Sequence, residues 1–220
     1  MKALVLIQFI LLTISNIFSQ EQPDTVKLFT IYPGYIITHQ NDTVHGYILL
    51  KNKIANQGKV FFFNSANDKE PSEKYKPRDI KGYKVADRVY ESMKYSPQNT
   101  TMIYSFLLKE IDGPICFYKS FFDDKQRIKI DENDIWNSKI DFSFSESELK
   151  EQHVGKRRTE KELQFFDSMG YLLKLKKNMS EYLSDCPEIA DKIANKEKGY
   201  EWANLEKIIL EYNDWYSRNH

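Results

Sequence analysis

His39 and His45 bracket Asp42, and these three residues are the nearest approach to a metal site in the sequence. Whether the two imidazoles meet depends on the register of the hairpin that carries them. A loop at Gln40–Asp42 pairs Ile37 with His45 and puts both rings on one face, whereas a loop confined to Asn41-Asp42 puts them on opposite faces. Zinc takes three or four ligands, and His153 and His220 stand in unrelated polar contexts. Ordinary surface histidines are the expectation, and no metal or other cofactor is expected.

Carboxylates occur in pairs at Asp123-Asp124, at Asp131-Glu132 with Asp134, and at Glu146 and Glu148. General acid catalysis needs a carboxyl partly desolvated against apolar neighbours. These runs lie among Lys and Asn and read as solvated surface. The Asp131 to Asp134 segment lacks the Gly and closing Glu of a calcium-binding loop. Asp79 and Asp87 flank Lys81-Gly82-Tyr83 and could act as acid and base, yet Asp79 reads as a turn residue and Asp87, with Arg88, as a hairpin end. There is no G-x-S-x-G, no H-E-x-x-H and no phosphate-binding glycine loop. The basic group Lys156-Arg157-Arg158, with Lys174, Lys176 and Lys177, is interspersed with acids and reads as helix surface.

Aromatic faces can stack on ligands at little entropic cost. Trp202 and Trp215 fall on an apolar helical stripe and are expected in the core. Trp136, within Asp134-Ile135-Trp136-Asn137, is the tryptophan expected to be partly exposed. It is the residue singled out for ligand or partner contact.

The elements that would position these residues fall into two regions. From residue 20 to 145, β-branched and aromatic residues come in short runs separated by Gly, Pro, Asn and Asp, the pattern of short strands. Strands are expected at Val26–Ile31, Tyr35–Thr38, Thr43–Leu50, Lys59–Phe63, Tyr83–Val85, Val89–Tyr95, Met102–Ile111, Ile115–Lys119 and Gln126–Ile130. No helical period competes there, and Asn64 to Lys74 reads as a loop. Residues 146–158 are highly charged and predict an exposed linker or a solvated helix.

Residues 159–220 take a helical period. Thr159 stands three positions before Glu162, the spacing of a capping box, which predicts a helix start. Leu172, Leu175, Met179, Tyr182 and Leu183 share one helical face. Pro187 predicts a helix start and Gly199 a stop, and Trp202, Leu205, Ile208, Ile209, Tyr212, Trp215 and Tyr216 form the last stripe. The expectation is an α+β protein: an antiparallel β-region, a small barrel or sandwich, followed by three or four helices.

Lys2 and the apolar run Ala3 to Ile17 have the form of a signal peptide ending near Ser19, too short to span a bilayer. No cysteine near the cleavage point offers a lipid anchor. The mature chain is expected to be periplasmic or extracellular, with no transmembrane segment. The full chain carries 32 Lys and Arg against 32 Asp and Glu; losing the leader with Lys2 leaves a net charge of about −1, without the basic excess of a nucleic-acid binder. Its 14 Phe, 14 Tyr and 3 Trp argue for a folded core. Cys116 lies in a strand-like apolar run and Cys186 at a helix start, so free thiols are expected.

The chain resembles a family of exported proteins from Bacteroidota to which no activity is assigned. The similar stretches are Gly34-Tyr35-Ile36-Ile37-Thr38 with Asp42-Thr43-Val44-His45-Gly46-Tyr47-Ile48, and Tyr75-Lys76-Pro77-Arg78-Asp79-Ile80-Lys81-Gly82-Tyr83. Others are Tyr90-Glu91-Ser92, Phe106-Leu107 through Gly113 to Phe117-Tyr118, Asp185-Cys186-Pro187 and Tyr212-Asn213. Asn41-Asp42 departs from the Gly-Asp of that pattern, and Asn also tolerates the positive φ of a turn. The resemblance implies export and structural similarity, not a reaction. The functional expectation is a non-enzymatic envelope or secreted binding protein with a protein or glycan partner. The alternatives are a hydrolase whose catalytic residues converge only in space, and a structural part of a secretion or attachment machine.

Overall fold

The computed structural model describes residues 26–95, 102–123 and 149–220. Ten strands form one antiparallel sheet: β1 (Thr30–Ile37), β2 (Thr43–Leu50), β3 (Val60–Phe63), β4 (Glu73–Tyr75), β5 (Gly82–Val85), β6 (Arg88–Tyr95), β7 (Ile103–Ile111), β8 (Ile115–Phe122), β9 (Lys150–Arg157) and β10 (Gln164–Phe165). Their spatial order is β10-β9-β8-β7-β6-β5-β1-β2-β3-β4. After β4 the chain returns to pair β5 with β1, so β1 has partners on both sides and the sheet grows outward in two directions. The sheet is open, which corrects the expectation of a small barrel or sandwich. Among the described residues its edges are the two-residue β10 and the three-residue β4, short strands that offer little template for pairing with another chain.

Register assigns the side chains to faces. Pairing of Ile36 with Tyr83, Tyr83 with Tyr90, Tyr90 with Leu108 and Ile48 with Phe62 places these residues on one face, where they join Phe106 and Phe121 in a buried cluster. Further along the same face, Ile111, Ile115 and Phe117 form a second cluster with Phe166 and the C-terminal helices. The opposite face carries Met93, Tyr95, Leu107, Cys116, Tyr118 and Val154. Val60 to Phe63 are buried throughout, as an apolar run without alternation predicts.

Helix α1 (Lys53–Gly58) lies within the region read as strands only. Asn52 caps it, accepting a hydrogen bond from the Ala55 N–H. Its buried amides tie it to the sheet: Gln57 bonds both backbone groups of Phe121, and Tyr83 donates to the Asn56 carbonyl. The C-terminal segment contains α2 (Met169–Leu173), α3 (Leu175–Tyr182), α4 (Pro187–Ala194), a 3-10 turn (Trp202–Asn204) and α5 (Leu205–Asn219). Leu205, Ile208, Ile209 and Tyr212 bury one stripe of α5 in the second cluster. No helix among the described residues is long and apolar enough to cross a membrane.

Several sequence expectations are corrected. Residues 150–157, read as charged linker or solvated helix, are strand β9, because Gln152 and Val154 face inward and partners distant in sequence neutralise the charges. Thr159 to Glu162 is no helix start but the turn of the β9–β10 hairpin, closed by Glu160 N–H to Arg157 C=O. Part of the loop at Asn64 to Lys74 contributes to β4. The stop after α4 falls at Lys196 rather than Gly199. Cys116 and Cys186 are both free and buried, in different clusters. The signal segment near Ser19, the strand Gln126–Ile130 and Trp136 lie outside the described residues.

Candidate functional site

The β8–β9 register pairs Phe121 with Glu151, Lys119 with His153 and Phe117 with Gly155. Lys119, His153 and Glu151 therefore stand side by side on the helix-covered face. They occupy the gap between the two apolar clusters, since Phe121 belongs to one and Phe117 to the other. Polar side chains survive there because neither cluster closes over them. The first turn of α5 and the 3-10 turn before it form the opposite wall. The resulting cleft of about 380 Å³ is lined by Phe117, His153, Trp202, Asn204, Leu205 and Glu206 among others.

His153 is fixed on three sides. Its ring stacks on Phe117 with centroids 5.6 Å apart and meets Trp202 edge-on at 5.7 Å. The β9–β10 pairing brings Phe166 N–H to the His153 carbonyl, and the next residue, Asp167, accepts hydrogen bonds from both the backbone N–H and Nδ1 of His153, the latter at 3.0 Å. A carboxylate only accepts, so Nδ1 carries the proton and Nε2 is directed to Glu151, 3.5 Å away. Burial opposes the charged ring, but the Asp167 hydrogen bond and the charges of Asp167 and Glu151 outweigh it against Lys119. The net effect holds the His153 pKa above its ordinary value.

Lys119 sits 2.7 Å from Glu206 and 3.5 Å from Glu151. Burial works against its charge, and these carboxylates, with Glu110, more than restore it, so its pKa is raised. Glu206 occupies the first turn of α5, where a negative charge also suits the helix dipole. Trp202 is 38% exposed. The expectation of a core tryptophan is corrected: α5 begins only at Leu205, so the residues before it leave the helical stripe.

A second hollow of about 170 Å³ adjoins the first across Trp202 and Leu205. It lies among α3, α4, the 3-10 turn and α5, and its walls include Leu175, Met179, Ile193, Tyr200 and Ile208. One side of Trp202 thus presents charges, the other an apolar recess.

The residues singled out from sequence do not converge here. Ile37 pairs with Thr43, not His45, because the connection spans Thr38 to Asp42. Asn41 there takes a φ of 72°. His39 is exposed with Nε2 2.8 Å from the Arg78 carbonyl, His45 packs edge-on against Tyr35, and Asp42 is exposed in the turn. Among the described residues no three His, Cys, Asp or Glu gather as a metal-binding set. Asp79 accepts from the Lys76 N–H in its own turn and Asp87 is exposed. Glu91 lies on the other face between Lys109 and the Tyr118 hydroxyl, each at 2.7 Å. Comparison with protein-family models, characterised proteins and solved structures finds no match to this chain.

Proposed function

We propose that the protein is an exported, non-enzymatic binding protein whose ligand lies across Trp202, between the charged cleft and the apolar recess. The observation that carries this reading is the exposure of Trp202 at a wall common to two hollows of opposite character. Large aromatics left at such a boundary supply contact area at low entropic cost. Polar groups in and beside the cleft pair with one another, Lys119 with Glu206 and Glu151, and His153 with Asp167. That pairing suits recognition of a ligand that exchanges partners with them. Export is supported by the leader-like residues Met1 to Ser19, and Trp136 is a second contact, outside the described residues.

The test is crosslinking of the full chain in its native envelope, with identification of the captured protein or glycan. Trp202→Ala should abolish capture while leaving the melting temperature close to that of the parent. Unchanged capture would remove Trp202 from the site. N-terminal sequencing of the native protein should begin within a residue or two of Gln20, and intact Met1 would defeat the export reading.

The hydrolase reading has one observation in its favour, the Asp167–His153 pair facing a cleft, the arrangement of an oriented general base. Cleavage of ester or peptide substrates that is lost in His153→Gln would replace the binding reading with this one.

A further inference from the structure

We propose that the apolar recess beside Trp202 receives the last side chain of a peptide with a free, apolar C-terminal residue, and that Lys196 binds its carboxylate. This deepens the binding reading and rests on it. The recess is about 170 Å³, close to the roughly 150 Å³ of an apolar cavity that holds benzene. It therefore fits one phenyl or branched aliphatic group and no more. Leu175, Met179, Ile193 and Ile208 offer such a group no polar partner.

The rim supplies the charge. Lys176 and Lys196 line the recess from α3 and from the end of α4. Lys176 Nζ lies 3.3 Å from the Ala194 carbonyl, and Lys196 forms no ion pair among the described residues. The acidic rim residue, Glu201, is held to its own turn through one oxygen: Oε2 accepts from the Gly199 N–H at 2.9 Å and from Asn204 Nδ2 at 3.0 Å. A ligand carboxylate at this rim meets two cations, Lys176 and Lys196, against the single carboxylate of Glu201.

Lys196 also stands where its backbone disfavours it. The chain leaves α4 by hydrogen bonds from Lys196 N–H to Ile193 C=O and from Glu197 N–H to Lys192 C=O, a terminal turn whose first residue beyond the cap adopts the left-handed conformation. Lys196 has φ 58°, a position that glycine or asparagine fills with least strain. A strained residue whose side chain lines a recess points to a use for that side chain. From the rim, the peptide chain has room to continue past Trp202 into the adjoining cleft of about 380 Å³.

The experiment is calorimetric titration of the full chain with Gly-Gly-Phe, its C-terminal amide, and phenylacetate. The free tripeptide should bind, with the amide and phenylacetate each weaker by roughly tenfold or more, the loss expected for a charge-assisted hydrogen bond or for the missing chain. Lys196→Gly should lose a similar factor for the free tripeptide while melting at the parent temperature or above, because glycine relieves the positive φ. A purely structural Lys196 would leave binding unchanged. Equal affinity for acid and amide, full binding by Lys196→Gly, or phenylacetate as tight as the tripeptide would each overturn the inference. Absence of tripeptide binding alongside intact, Trp202-dependent envelope capture would overturn it and leave the binding reading standing.

Discussion

Asn213 on α5 holds both backbone groups of Ile115 on β8: its Oδ1 accepts from the Ile115 N–H and its Nδ2 donates to the Ile115 carbonyl, each at 2.8 Å. Gln57 on α1 treats Phe121 in the same way, at 2.7 and 2.8 Å. The reason lies in the ladder. β7 and β8 pair from Leu108 opposite Lys119 to Ile111 opposite Phe117, so Ile115 and Phe121 lie just outside it on either end. Each would leave a buried donor and acceptor unpaired, and each takes a side-chain amide as a substitute strand partner. One end of β8 is thereby tied to α1 and the other to α5, and Lys119 is held between them.

Asn213→Ala should destabilise the protein by about 2–4 kcal/mol, because two buried backbone groups lose their partner. Chemical denaturation checks this. A loss under about 1 kcal/mol would mean that Ile115 finds another partner.

Gly113 is coupled to the same contact. A Cβ there would stand 2.4 Å from Asn213 Nδ2 and 2.7 Å from its Cγ, so Gly113→Ala must push the amide off Ile115. The double variant with Asn213→Ala should therefore cost clearly less than the two single losses combined, by an interaction of about 1 kcal/mol or more. Additive losses in the double-mutant cycle would show the two positions to be independent.

His153 makes stability depend on pH with a defined sign. Its folded pKa lies above its ordinary 6.5, so between those values the native state holds more protons than the unfolded chain. The contribution is complete below about 6.5 and is lost as pH rises through the folded value. Glu151, Asp167 and Lys119 are the charged groups facing the ring. Asp167→Asn should lower the ring's pKa and flatten that part of the stability profile, as followed by NMR titration of His153 and melts from pH 5 to 9. A ring that titrates at or below its ordinary value in the parent would sink the prediction.

Much of the sheet is legible in sequence because β-branched and aromatic runs between turn residues report strands locally, as Thr43–Leu50 and Arg88–Tyr95 illustrate. Helix α1 is not, since six residues make too few turns to show a period. Strand β9 was hidden by Glu151, His153 and Arg157, whose charges read as solvent-facing. Their partners Lys119, Asp167 and Asp185 come from other elements, which a local window does not contain. The cleft is hidden for the same reason: β8, β9, the segment after β10 and α5 each supply a member. Trp202 misled because the apolar spacing of α5 continues one turn before the helix itself begins.

Arg157 ties β9 to the helices, with two bonds to the Asp185 carboxylate at 2.8 and 3.0 Å, one to the Tyr182 carbonyl, and its plane over the Tyr182 and Tyr212 rings. Lysine offers one point charge and cannot reproduce the fork. Arg157→Lys should therefore cost about 1–3 kcal/mol despite conserving charge. Retention of parental stability would show that charge alone suffices.

Lys51 is the residue whose removal should help. It is 2% exposed, donates to the Lys59 carbonyl at 2.9 Å and lies 4.4 Å over the Phe61 ring. Burial, aided by the charge of Lys59, lowers its pKa to about 7 from an ordinary 10.5. Between those values the unfolded chain binds the extra proton, so stability rises with pH from about 7 to about 10.5. A shift of that size corresponds to about 5 kcal/mol, a burden that an apolar side chain of similar length does not carry. Lys51→Met keeps the volume and the contact with Phe61, forfeits one hydrogen bond worth about 1 kcal/mol, and removes the desolvated charge. At pH 7 it should be as stable as the parent or more stable by about 1–3 kcal/mol, and its stability should no longer climb through the alkaline range. A variant that kept the parental climb, or lost more than about 1 kcal/mol at pH 7, would show that the ammonium is stabilised in the fold rather than tolerated.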